Sequence, residues 1–199
     1  MISKRKQDLI SLAAAVALYV LGMVLIETEL IGAFWQLNIV LICINIILAV
    51  SLNLITGFTG QFSIGHAGFM AVGAYMSAVF TVKLGLPFIV AIGAGAIAAA
   101  ILGFAIGLPT LRLQGDYLAI ATLGLGEIIR ITILNIPYVG GASGLMGIPR
   151  YTDFTWAFFA MVITIFFIKN YINSSHGRAC ISIRENEIAA EAMGVDTTK

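Results

Sequence analysis

Charge is the scarcest commodity in this sequence. Asp, Glu, Lys and Arg supply 11% of its 199 residues, against about 25% in an average soluble domain. The deficit is also uneven: no charged residue falls between Leu30 and Val82, and none between Leu84 and Leu111. Uncharged runs of ~18 or more apolar residues are candidates for transmembrane helices, which excludes an ordinary soluble domain. Cysteine occurs twice, Cys43 in an apolar run and Cys180 in a polar tail. That separation argues against a disulfide, and no metal-ligand spacing is present. Histidine also occurs twice, at His66 and His176, and there is no Walker A sequence, HExxH pair or nucleophile elbow. No catalytic residue, metal or cofactor is therefore assigned, and any ATP the protein uses is expected to bind another subunit. A net charge of +1 gives no reason to expect a nucleic-acid partner.

What remains is apolar. Sixty per cent of the residues are hydrophobic, and the mean hydropathy is +1.01. A helix crosses the hydrocarbon layer in ~20 residues. That ruler predicts an all-α, polytopic transmembrane helix bundle of about six spans, near residues 9–26, 33–55, 65–82, 86–108, 117–137 and 154–170. The first imitates a signal peptide, because "SKRKQDLISLAAAVALYVLGMVLIETE" has a basic start and an apolar run. No small-x-small cleavage site follows, so a retained span is expected. Lys and Arg in short loops set orientation. With Lys4, Arg5 and Lys6 in the cytoplasm, six alternating spans also place Arg112, Lys169, Arg178, Arg184 and Lys199 there. The outside keeps Lys83 and Arg150 with the acidic Glu27, Glu29 and Asp153. A cytoplasmic N-terminus and a cytoplasmic tail from residue 173 onward are the expected arrangement.

Two loops stand out. "NIPYVGGASGLMGIPR" (residues 135–150) is too rich in glycine and proline to span and is expected outside. "LRLQGDY" (residues 111–117) is expected inside, with Arg112 and Asp116 four apart, a spacing that suits a solvated interfacial bridge.

Within the apolar part, "NLITGFTGQFSIGHAGF" (residues 53–69) breaks the pattern. Gly57, Gly60, Gly65 and Gly68 stand among Asn53, Gln61, Ser63 and His66. In hydrocarbon every backbone N–H and C=O needs a partner, so such a segment is tolerated only when buried in protein or lining a cavity. Two roles are open: a tight turn with glycines at close helix contacts, or the wall of a solute pathway, as at discontinuous helices of transporters. Glu127 and Arg130 form the second departure. Three apart, they share a helical face and can pair, and their depth makes a lipid-facing position improbable. They are expected either to form an internal ion pair locking two helices or to act in gating or along a substrate path. Small residues recur at helix-packing spacing in Gly103 and Gly107, and in Ala91, Gly95 and Ala99.

Charges crowd into the tail, "IRENEIAAEAMGVDTTK". As one helix over 181–193, it places Ile181, Ile188, Ala189, Ala192 and Met193 on one side and Arg184, Glu187 and Glu191 on another, with Gly194 as a stop. Helices that lie on lipid usually carry basic polar faces. This acidic one better suits a groove in another protein.

"GRACISIRENEIAAEAMGVD" resembles the cytoplasmic loop of LivM-type permeases, the membrane subunits of branched-chain amino-acid ABC importers. "NLITGFTGQFSIGHAGFMAVGAYMSA", "LRLQGDYLAIATLGLGEIIRI" and the external "GGASGLMGIP" resemble the same family, in the same order. The resemblance runs from about residue 45 onward. It implies a transmembrane permease domain over 1–172 and, over 173–199, an incomplete EAA-like coupling loop, the chain resembling the N-terminal part of such a permease. In the EAA motif Glu-Ala-Ala is followed by three further residues and then Gly; Ala189, Ala190 and Gly194 match it, while Ile188 replaces the leading Glu and Glu187 is displaced by one. Contact with the ATPase would then fall to Arg184, Glu185, Asn186, Glu187, Ala189, Ala190 and Gly194. A pathway or gate would draw on Asn53, Gly57, Gly60, Gln61, Ser63, Gly65, His66, Glu127 and Arg130. The partners implied are ABC ATPase subunits, a second LivH-like permease, a periplasmic or lipid-anchored amino-acid-binding protein, and lipid, in a bacterial or archaeal cytoplasmic membrane. The substrates implied are leucine, isoleucine and valine. Permeases for urea or short amides, and a stand-alone secondary carrier using Glu127 and Arg130, are the alternatives.

Overall fold

A computed structural model describes residues 4–28, 32–110, 113 and 115–195. Every regular element among them is helical. Six long helices lie over the apolar stretches: α1 (Lys4–Glu27), α2 (Ala33–Asn53), α3 (His66–Val82), α4 (Phe88–Thr110), α5 (Asp116–Asn135) and α6 (Phe154–Ile172). Two short ones follow, α7 (Ser175–Glu185) and α8 (Glu187–Ala192). Helices are required here because lipid offers no hydrogen bonds, so the backbone must satisfy itself within each segment. Five of the six, α2 together with the turn that follows it, are long and apolar enough to cross a membrane. The exception, α3, has 17 residues, or ~26 Å at 1.5 Å per residue. That falls short of the ~30 Å hydrocarbon layer, so flanking residues must make up the difference. The side chains also suit an apolar solvent: Ile101, Phe104, Ile120 and Phe166 project outward, and no large side chain among the described residues is fully buried.

The chain divides into two compact units. The first comprises residues 1–51 and 152–177, and it is joined by aromatic packing between α1 and α6. Tyr19 stacks on Phe154, with ring centroids 6.0 Å apart, and meets Phe158 and Phe159 at 5.4 and 5.3 Å. These separations lie in the favourable range for aromatic pairs. Gly22 makes room for this cluster, since a Cβ there would sit 2.6 Å from Cζ of Phe154. Val40 and Cys43 of α2 bury themselves against Ala157 of α6.

The second unit comprises residues 52–151 and 178–199. Here α3 packs on both α4 and α5, and small residues permit the approach. A Cβ on the buried Gly95 of α4 would lie 2.5 Å from the carbonyl oxygen of Gly73 on α3. Without a hydrophobic drive between helices in lipid, such backbone-level contact is a main source of association. The irregular stretch after α5 contains two 3₁₀ turns, Pro137–Val139 and Gly141–Ser143, with Gly140 and Gly141 both at positive φ. It is pinned against the α3–α4 turn, where the Lys83 ammonium lies 5.5 Å above the Tyr138 ring and Phe88 meets Tyr151 at 5.7 Å.

The tail differs from the single helix expected over 181–193. Asn186 adopts extended backbone (φ −164°, ψ 108°), which ends α7, and its side chain starts α8 by accepting from the Ala189 N–H at 3.0 Å. Asparagine is among the strongest N-caps, and here that preference outweighs continuation of the helix. The expected stop is present: Gly194 has φ +86°, and the Val195 N–H bonds to Ala190 O at 3.0 Å while the Gly194 N–H bonds to Glu191 O at 2.9 Å. This is the Schellman pattern. Arg112 and Glu29 lie outside the described residues, and with Arg112 the proposed bridge to Asp116.

Overpacking a tight contact costs about 1–3 kcal/mol. Gly95→Ala should therefore lower the detergent-solubilised protein's thermal midpoint clearly more than Gly73→Ala, whose Cβ would have 3.5 Å to its nearest neighbour. Equal shifts in a melting assay would refute this packing.

Candidate functional site

The glycine-broken segment begins where α2 widens into a π-helical turn, Leu54–Phe58. The Thr59 N–H reaches back five residues to Leu54 O at 3.2 Å, and the Thr59 hydroxyl donates to Ile55 O. Such turns are rare and cluster at functional sites. Gly60, at φ +73°, then reverses the chain, a conformation that L side chains resist. From there the chain runs irregularly to His66, the first residue of α3.

Residues 61–66 are held against α5 by backbone-level contacts. A Cβ on Gly65 would overlap the carbonyl oxygen of Thr122, and one on Gly68 would lie 3.0 Å from the Cα of Gly126. Thr122, buried on α5, completes the attachment: its hydroxyl accepts the Ile64 N–H at 3.1 Å and donates to Ala119 O at 3.0 Å. An irregular backbone donor is thereby satisfied without water, as hydrocarbon depth demands.

Beneath the segment lies a cavity of about 360 Å³. Gln61, Ser63, Gly65 and His66 form its wall on the segment side. Gly103, Ile106, Gly107 and Thr110 of α4, and Leu118, Thr122, Leu125 and Ile129 of α5, close it. Small-molecule sites range over ~300–1,000 Å³ and are mostly apolar with a few placed polar groups; this cavity fits that description at the small end. Gln61, Ser63, Gly65 and His66 are thus brought together. Asn53, Gly57 and Gly60 are not among the described lining, and shape the turn that leads to it.

Glu127 and Arg130 are not in the lining of this cavity but themselves line a smaller one of about 290 Å³, together with Ile64, Ala67, Gly68 and Ala71. They form a forked pair within α5, with Arg130 Nε donating to Glu127 Oε2 at 2.9 Å and Nη2 to Oε1 at 2.5 Å. The i, i+3 spacing lets the guanidinium reach the carboxylate along one helix, so the pair forms within α5 itself. Their side chains are 62% (Arg130) and 50% (Glu127) exposed on this chain. Charge at that exposure is costly against hydrocarbon, and ionisable groups in membrane helices almost always face protein or a water-filled cavity.

In the tail, Ala190 is buried, whereas Ile188 and Met193 are 81% and 85% exposed. The apolar face expected on α8 is thus largely uncovered. Arg184 donates from Nη1 to Gly57 O at 2.7 Å and pairs with the neighbouring Glu185. Asn186 caps α8 and Gly194 closes it; the side chain of Glu187 lies outside the described residues. Nothing in the sequence singled out Thr122, Thr110 or Ile129 as cavity residues, because the contact that recruits them joins positions 58 apart in the case of Ile64 and Thr122. A signal in the sequence was the pair of glycines, Gly124 and Gly126, beside the charged pair.

The family described as "Branched-chain amino acid transport system / permease component" matches residues 36–199. The chain belongs to that family. Among curated relatives, the "High-affinity branched-chain amino acid transport system permease protein LivM" of Salmonella typhimurium is 34% identical across 78% of this chain, and that of Escherichia coli is 35% identical across 76%. The "Probable branched-chain amino acid transport permease protein LivM" of Methanocaldococcus jannaschii is 34% identical across 52%. The chain spans 45%, 44% and 34% of the lengths of these three relatives. No solved structure matches it. Family membership and the apolar helices together make this a multi-pass membrane protein.

Because Glu127 and Arg130 satisfy each other, removing both charges should harm folded yield or transport less than removing either, since a single deletion strands one charge. The measurement is a double-variant cycle with Glu127→Gln and Arg130→Gln. A double variant no better than the worse single would count against direct pairing.

Proposed function

We propose that the chain is a permease component of an ATP-binding-cassette importer that carries leucine, isoleucine and valine across the cytoplasmic membrane of a bacterium or archaeon. The family match over residues 36–199 carries this reading. The N-terminus and tail lie in the cytoplasm. On the outside, the pinned loop around Tyr138 and Tyr151 receives the amino-acid-binding protein, and a second, LivH-like permease subunit covers the Glu127–Arg130 face. The small, mostly apolar cavity under the glycine-broken segment suits a branched apolar side chain; Gln61, Ser63, His66, Thr110 and Thr122 bring the polar groups to its wall. ATP binds separate ATPase subunits, whose closure drives alternating access.

The exposed Ile188 and Met193 support the ATPase contact. Large apolar side chains are rarely left fully exposed on a short helix in water unless they meet a partner, and an apolar helix face laid into a groove is a common recognition mode. Because both side chains project freely, they can be changed without disturbing the tail. Ile188→Glu and Met193→Glu should each leave membrane insertion intact, weaken co-purification of the ATPase subunits and reduce leucine uptake by roughly tenfold, as loss of an interface hot spot does. Normal uptake with undiminished ATPase association in both variants would point instead to a stand-alone carrier.

A further inference from the structure

We propose that Arg184 is a positioning residue for transport: it ties the tail helix to the π-helical turn at the head of the glycine-broken segment, so that a displacement of α8 reaches the cavity wall. The inference rests on the function proposed above and names the residue through which it works.

Three features place Arg184 in this role. Its guanidinium is held from two sides. Nε donates to Glu185 Oε1 at 3.1 Å, Nη2 donates to the same carboxylate oxygen, and Nη1 is left to donate to Gly57 O at 2.7 Å. Glu185 therefore aims the fork, and the bond to the carbonyl is charge-assisted, a class roughly twice as strong as a neutral one. The aliphatic stem uses a second contact. It lies over Gly60, where a Cβ would come within 2.5 Å of Arg184 Cγ, and Gly60 also needs its glycine for a φ of +73°. No other residue type leaves room for the stem at that turn.

Connectivity supplies the third feature. Two residues beyond Arg184, Asn186 caps α8, the helix that exposes Ile188 and Met193. One residue beyond Gly60, Gln61 enters the cavity wall, followed by Ser63, Gly65 and His66. A single side chain thus joins the two places where force is received and where substrate is enclosed. π-helical turns change register by small shifts and recur at functional sites, which makes Leu54–Phe58 a suitable element for Arg184 to move.

The test uses the assembled transporter in lipid vesicles, with ATP hydrolysis and leucine accumulation measured on the same preparation. Arg184→Met keeps the stem on Gly60 and removes the donors. Measured per ATP hydrolysed, so that any change in ATPase contact is divided out, it should lower the leucine moved by roughly tenfold, a typical coupling factor. Arg184→Lys, which keeps a donor but not the fork, should recover part of that loss. An unchanged ratio in Arg184→Met, or a loss that Arg184→Lys does not partly recover, would overturn the proposal while an active wild type upheld the function. A wild-type assembly that hydrolyses ATP without moving leucine would overturn the function, and this inference with it.

Discussion

In hydrocarbon an unpaired backbone amide has no water to turn to, and this constraint governs the protein more than any side-chain contact does. It makes the elements helical, and it sets the terms on which the glycine-broken segment between α2 and α3 exists. Residues 59–65 leave the helical ladder, so their polar groups must be met by protein. Thr122 meets the Ile64 N–H with a hydroxyl that is itself satisfied on α5. The glycines serve the same end, because only a segment without side chains at Gly65 and Gly68 can lie close enough to α5 for that bond to form. The cavity beneath is a by-product of this arrangement: an irregular wall on one side, two straight helices on the other.

The same constraint explains which features were legible beforehand. Runs without charge reveal helices, because helix is the default solution in lipid, and the absence of charge from Leu30 to Val82 needed no further context. The break at Asn53–Phe69 was also visible, since glycine and polar residues at that depth demand an explanation. What the segment packs against was not. Thr122 looks like any helical threonine until the fold brings Ile64 to it. Asn186 shows a different limit: a cap residue in the middle of an amphipathic pattern was read through, although its preference for starting helices is a local property. Glu127 and Arg130 announced their pairing by spacing alone, but spacing does not distinguish a pair within one helix from a pair that reaches across to another.

Exposure is informative in opposite ways in the two environments. On α4, outward Ile101 and Phe104 are at home in lipid and signal nothing more. On α5, outward Glu127 and Arg130 signal a covered face, because charge is what lipid rejects. In the tail, on the proposed cytoplasmic placement, the inference inverts again, and the outward Ile188 and Met193 become the anomalous residues, because water rejects them. A residue's accessibility acquires meaning only once its solvent is known.

The two ends of α8 have a further consequence. A six-residue helix standing alone in water is far below the length at which helices persist, yet this one is closed in front by the Asn186 side chain and behind by the Gly194 turn. If α8 docks on an ATPase subunit as proposed, that partner meets a surface already shaped, and little ordering entropy is left to oppose association. Contact and release would then be quick, as suits an element proposed to transmit many strokes rather than bind once.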